Sequence, residues 1–287
     1  MPRGLDHIVH VVHDLDAAGE FYRRAGFTVG ARNRHPWGTH NRIIQFPGVF
    51  IELLAIGEPE LITAAVSGSF SFGGFARDFL AREEGLAMLV LEGRGAAADA
   101  EAFRTAGIGD FEVFDFEREG KRPDGTPVKV AFSLAFAADA KAPDVGYFTC
   151  QQHFPESFWN PAFQSHANGV SGVAGVIFVA QDPAQHRHFV TSFSGVDDVI
   201  SDADGIVVRT PRGAIEVMTP SAYRMRTGTE PPDIVRGARL VAVRLAVQDQ
   251  AKVKSAIRDG RIAFSAHDGR LVIPAAEAHG ATLIFEG

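Results

Sequence analysis

The chain has 287 residues, room for two domains with a core each, and its 46% hydrophobic and 22% charged content suits a globular protein. A formal net charge of -7 argues against a nucleic-acid partner, which needs a basic surface, and no apolar run approaches the roughly 20 residues that span a bilayer. One cysteine, Cys150, excludes an internal disulfide framework; with no signal peptide before the first strand, a reducing cytoplasm is expected.

The chain says one thing four times. Short apolar runs at 5–12, 86–93, 173–180 and 240–247 each pass into an amphipathic stretch and then into further strand-like runs. In the first copy Leu5, His7, Val9 and Val11 are expected on one strand face, and Asp6, Ile8, His10 and Val12 on the other. Leu15, Ala18, Tyr22 and Ala25 then recur at helical spacing, with Asp14 or Asp16 as N-cap and Gly26 past the end. The segment HPWGTHN, with His35, Trp37, Thr39, His40 and Asn41, reads equally as a turn and as the rim of a pocket. Strands at 42–46 and 49–54 follow, joined at Pro47-Gly48.

An insert at 57–85 carries Phe70, Phe72, Phe75 and Phe79 around Gly73-Gly74: a helix capping the sheet, or a lid hinged at the glycines. The second copy predicts strands at 111–117, 129–136 and 145–151, with a turn at Pro123-Asp124-Gly125. Pro155, Pro161, Asn168 and Gly169 mark an irregular connector whose aromatics pack across both halves. The third copy starts its helix at Asp182-Pro183, and the fourth turns a hairpin at Asp268-Gly269. Strand, helix and three strands fit each copy, and a unit unable to bury its own apolar face must pack on another copy. Stacked in that register, one column reads His7, Met88, Gly175, Ala242.

The opening LDHIVHVVHDLDAAGEFYRRAGF, followed by a strand ending in FIELLAI, resembles the vicinal oxygen chelate superfamily and, more closely, its glyoxalase-like members. The likeness covers about the first fifty-six residues by motif and the other three modules by architecture. It implies an α+β fold of four βαβββ modules paired into two curled-sheet domains of the glyoxalase/bleomycin resistance/dihydroxybiphenyl dioxygenase kind. The N-terminal domain would span 1–153 (modules about 1–56 and 86–153, insert 57–85), the connector 154–171, and a degenerate C-terminal domain 172–287.

The resemblance also implies a divalent metal inside a cup, and His7 in DHIVH and Glu52 in FIEL fall on the superfamily's ligand pair. Imidazole nitrogen and carboxylate oxygen suit Zn(II), Fe(II), Mn(II) or Ni(II). Further ligands would come from the partner module, where Met88 matches His7 and an alignment of Phe148 with Phe50 sets Cys150 opposite Glu52. Gln151, Gln152 and His153 crowd beside it, and strand alternation lets only one of the pairs Cys150/Gln152 and Gln151/His153 face the cup. The third ligand stays open. Trp37, His40, Gln152 and His153 are the expected substrate contacts.

Gly175 and Ala242 leave the second cup without a first-strand ligand, and Glu216 matches the carboxylate position without a histidine. That half is expected to complete the core, shape the pocket mouth or support a homodimer, with binding of an apolar ligand as the alternative. The leading function is a metal-dependent lyase or isomerase on a small substrate with adjacent oxygens, Glu52 serving as ligand or as base beside a carbonyl. Two alternatives stand beside it. An extradiol-type dioxygenase would need a second histidine, missing at Met88 and Ala242, and a metal-free binding protein would use some of the 23 phenylalanines as pocket walls.

Overall fold

In a computed structural model that describes residues 1–121, 125 and 127–287, the N-terminal apolar run forms strand β1 (Leu5–Val11), buried along its whole length. Asp14 caps helix α1 (Leu15–Arg24), its carboxylate accepting from the amides of Asp16 and Ala17. Strands β2 (Asn33–Arg34), β3 (Thr39–Phe46) and β4 (Val49–Ile56) complete the first module. Helix α2 (Phe72–Leu80) forms the insert, followed by β5 (Gly85–Glu92), α3 (Ala96–Thr105), β6 (Phe114–Lys121), β7 (Pro127–Ala137) and β8 (Gly146–Gln152). The turn expected at Pro123-Asp124-Gly125 lies outside the described residues.

A short turn of helix α4 (Pro155–Phe158) leads into β9 (Val170–Val179), α5 (Arg187–Ser194), β10 (Val199–Ser201), β11 (Gly205–Arg209), β12 (Ala214–Met218) and α6 (Pro220–Thr227). The last module is β13 (Arg239–Val247), α7 (Gln250–Asp259), β14 (Ser265–His267), β15 (Arg270–Ile273) and β16 (Thr282–Glu286). None of the described helices is long and apolar enough to cross a membrane.

Two eight-stranded sheets result, ordered β2-β3-β4-β1-β5-β8-β7-β6 and β10-β11-β12-β9-β13-β16-β15-β14. Modules one and two join where β1 runs antiparallel to β5, and modules three and four where β9 runs antiparallel to β13. Within a module the first strand pairs parallel with the last, a connection long enough to hold the helix.

Each sheet buries both faces. One face, with α1, α3, α5 and α7, enters a core shared by both sheets that includes Tyr22, Phe103, Phe193 and Phe285. The other face of each sheet curls round its own cluster, closed by α2 in the first and by α6 in the second. The apolar repeat thus offsets its entropy of folding by burial in two places, the common core and the two cups.

Two expectations about faces change. Leu5 lies in the shared core with Ile8 and Val12, while Val9 and Val11 line the cup, because a register shift between Leu5 and His7 slips the strand's alternation. Gly73 and Gly74 sit inside the first turn of α2 rather than at a hinge. A Cβ at Gly73 would lie 2.8 Å from the Trp37 carbonyl, so that glycine is required for close packing.

Candidate active site in the N-terminal cup

The parallel register of β1 and β4 sets Phe50 beside His7 and Glu52 beside Val9, one step along the same wall. His7 Nε2 then lies 3.8 Å from Glu52 Oε2. The imidazole is fixed on three sides. It stacks on Phe50 at 4.3 Å, meets the edge of Phe148 at 5.5 Å, and places Nδ1 2.6 Å from Asp6 Oδ1. A carboxylate only accepts, so Nδ1 carries a proton, and Nε2 is the nitrogen that faces the cup. Asp6 is itself buried, at 4% exposure, and its other oxygen accepts from Gln152 Nε2 at 3.1 Å.

Glu52 is held from the opposite side. Asn41 Nδ2 donates to Oε1 at 2.5 Å and stands 3.3 Å from His35 Nε2, which is itself 3.9 Å from Oε1. His35 Nδ1 lies 2.9 Å from Thr39 Oγ1, and its ring stacks on Trp37 at 4.6 Å. Sequence reasoning left HPWGTHN undecided and missed His35 and Asn41 as site residues. A signal was there. The two-residue turn at Pro47-Gly48 pairs Phe46 with Val49 and hence Ile43 with Glu52, so alternation brings Asn41 to the cup face.

Of the expected substrate contacts, Trp37 lines the cavity. His40 does not: it lies on the other face of β3, with Nε2 3.2 Å from Glu58 Oε2 and Nδ1 3.2 Å from Arg32 Nη1. His153 is exposed, and Nε2 meets Ser133 Oγ at 2.7 Å, on the side of β7 opposite the cavity-lining Phe132 and Leu134. Gln152 reaches the site only through Asp6.

The positions of the second module that match His7 and Glu52 carry no metal-ligating carboxylate or imidazole. Because β1 pairs with β5 as His7 with Val90 and Val9 with Met88, the local two-fold relates His7 to Met88. In β8 Phe148 stands beside Val90, so Phe148 and not Cys150 takes the position of Glu52, two residues away from the sequence alignment. Cys150 lines the cavity, but burial, then the charges of Asp6 and Glu52, push its thiol well above the ordinary range, and it stays neutral. Among the described residues no group of three or more His, Cys, Asp or Glu side chains is placed to hold a metal ion. The His7–Glu52 pair does suit one chemically: an imidazole nitrogen and a carboxylate oxygen, 3.8 Å apart on one wall of the cup, are the donor types that would hold a divalent transition-metal ion. The cavity before them is about 90 Å³, walled by Trp37, Phe50, Phe72, Phe116, Phe132 and Phe148.

The second cup is not an apolar pocket. Glu216, 2% exposed, accepts from Arg244 Nη1 and, at 2.5 Å, from Arg226 Nη1. Glu286 accepts from the other Arg244 amine and meets Arg270 Nε at 3.4 Å. Arg244, which the sequence pattern placed on an apolar strand, brings a fixed cation beside the carboxylate that matches Glu52.

Residues 5–193 match the model of a glyoxalase-like domain. The whole chain superposes on a hypothetical protein from Staphylococcus aureus, covering 100% of this chain and 99% of that one, with a TM-score of 0.67 at 15% identity. A triple mutant of 4-hydroxymandelate synthase from Streptomyces coelicolor gives 99% and 91% coverage, TM-score 0.59 and 11% identity. A xylose isomerase-like TIM barrel/4-hydroxyphenylpyruvate dioxygenase fusion protein gives 99% of this chain and 49% of that one, TM-score 0.51 and 13% identity. No curated protein matches the sequence. At these identities the solved structures share the fold and nothing finer. The sequence match spans more than half of the chain, and with two curled sheets built from four strand-helix-three-strand modules the protein belongs to the glyoxalase-like domain family of the vicinal oxygen chelate superfamily.

Proposed function

We propose that the N-terminal cup binds a small, largely apolar molecule carrying two adjacent oxygens and acts on it as a metal-dependent lyase or isomerase. The observation that supports this reading is His7, clamped by Asp6 at Nδ1 and turned with Nε2 towards Glu52 inside an aromatic-walled cavity. A bound divalent ion, with His7 Nε2 and Glu52 Oε2 as its protein ligands, would supply the positive charge that polarises both oxygens. Glu52 is the one carboxylate lining this cavity among the described residues. Asn41 holds its Oε1, so Oε2 serves either as ligand or, released from the ion, as the base that takes a proton from a carbon beside a carbonyl. The aromatic walls lower the effective dielectric around Glu52, so charge near it is felt more strongly than in bulk water.

The test is metal uptake and turnover by the full chain, purified without a histidine tag. Near-stoichiometric binding of a transition metal that His7→Ala lowers, together with conversion of a 2-oxoaldehyde adduct, supports the proposal. A protein that takes up no metal and converts none of a panel of such adducts and catechols overturns it.

A second reading, metal-free sequestration of an aromatic molecule, is favoured by one feature: Met88 and Phe148 stand where the partner module's ligands are expected. Tight binding of an aromatic ligand, indifferent to added metal and to His7→Ala, would select it.

A further inference from the structure

The C-terminal cup holds more positive charge than its own carboxylates absorb. Arg209, Arg226 and Arg244 line an open cavity of about 450 Å³ together with Glu216. Both oxygens of Glu216 are taken, one by Arg226 and one by Arg244, and Glu286 is divided between Arg244 and Arg270. Arg270 also pairs with Asp268 at 2.6 Å. Arg209 has no side-chain partner among the described residues, and the Arg244 Nε, although buried, has no acceptor.

The register explains why Arg209 faces this cavity. On β11, Val207 lies opposite Glu216 and Arg209 opposite Ala214, so both share the cup face with the carboxylate. In the first cup the matching position, opposite Phe50, is Gln45, which is bonded to the connector at the Phe158 carbonyl and the Asn160 amide. The second cup carries a guanidinium there instead. Ala174, Gly213 and Ala214 keep the floor low beneath it.

We infer that the C-terminal cup is a binding site for a small oxyanion, a carboxylate or a phosphate, held by Arg209, Arg226 and Arg244. Glu216 holds one amine of Arg226 and one of Arg244, whose second amine is held by Glu286; the N–H groups left over on these two and the guanidinium of Arg209 are donors for the ligand's oxygens. Recognition is by charge and by paired hydrogen bonds, a chemistry distinct from that of the aromatic N-terminal cup.

Calorimetric titration of the full chain with inorganic phosphate, and separately with acetate, tests the site. One equivalent of at least one of the two should bind, and whichever binds identifies the source of the oxyanion. Arg209→Gln, on an exposed side chain, and Arg226→Gln, on a half-buried one, should each weaken binding by about tenfold, the size of one charge-assisted contact. Their folding is checked by circular dichroism, and Glu52→Gln, in the other cup, should leave the affinity unchanged. Absence of binding for both anions, or binding that neither arginine variant weakens, overturns the inference.

Discussion

Asp6 fixes the imidazole of His7: Oδ1 lies 2.6 Å from Nδ1, which leaves Nε2 directed at Glu52. A buried carboxylate in this position sets the tautomer and raises the basicity of the opposite nitrogen. We predict that Asp6→Asn lowers metal affinity or turnover by about 10- to 100-fold with the fold intact. The amide keeps the shape but loses the charge, and its NH₂ group opposes either His7 Nδ1–H or Gln152 Nε2. Metal titration and circular dichroism on the same sample check this; unchanged affinity would show that Asp6 serves packing alone.

The two matching carboxylates should separate stability from activity. Glu52→Gln is predicted to cost turnover by orders of magnitude through loss of ligand charge or base, with little change in the unfolding midpoint. Glu216→Gln is predicted to spare turnover and to cost stability. It leaves Arg226 and Arg244 without their shared buried anion, a loss of about 2–3 kcal/mol after allowance for their partial exposure. Denaturant titration and assay at matched metal loading give the comparison, and the reverse pattern would place the active site in the C-terminal cup.

Met88 offers a gain-of-function test. It occupies the position of His7 in the second module and lines the same cavity. Met88→His should therefore add a nitrogen donor to the pair already present and tighten divalent-ion binding by about tenfold or more, at a stability cost from burying a polar ring. Zinc titration of variant and parent decides it, and equal affinities would mean that residue 88 does not reach the ion.

Stability should fall on mild acidification because of His10. Its ring is fully buried, with Nε2 2.7 Å from the His279 carbonyl and Nδ1 3.1 Å from the Tyr22 hydroxyl. The carbonyl must accept from Nε2–H, so neutral Nδ1 accepts from Tyr22. Burial, partly offset by that carbonyl bond, lowers the pKa from 6.5 to about 4. The unfolded chain therefore takes up a proton near pH 6.5 that the folded chain refuses until about pH 4. The stabilisation is complete above the unfolded value and is lost as pH falls through this window, by about 3 kcal/mol in all. His166, whose pKa burial also lowers, acts in the same direction. Urea unfolding at pH 7.5 and pH 4.5 measures the slope, and His10→Gln should flatten it. An equally steep slope in the variant would assign the effect to other groups.

Local pattern determined the modules. The apolar run of β1, the Asp14 cap of α1 and the Pro47-Gly48 turn are written in neighbouring residues, and each has the outcome its chemistry dictates. The approach of His7 to Glu52 was legible through family resemblance, because the motif carries both strands of one module. What alternation supplies is parity, and parity says nothing about phase along a partner strand. The shift after Leu5 and the two-residue displacement that puts Phe148 in place of Cys150 arise from pairing of β1 with β5 and of β5 with β8, strands far apart in the chain. Likewise, Arg244 meets Glu216 and Glu286 only because β13 lies between β9 and β16, a contact that no local window contains. The sequence by itself determined which elements form and which residues carry chemistry. Only the tertiary structure decided which cup is aromatic and which is charged, since that depends on where each strand face comes to rest against strands distant in the chain.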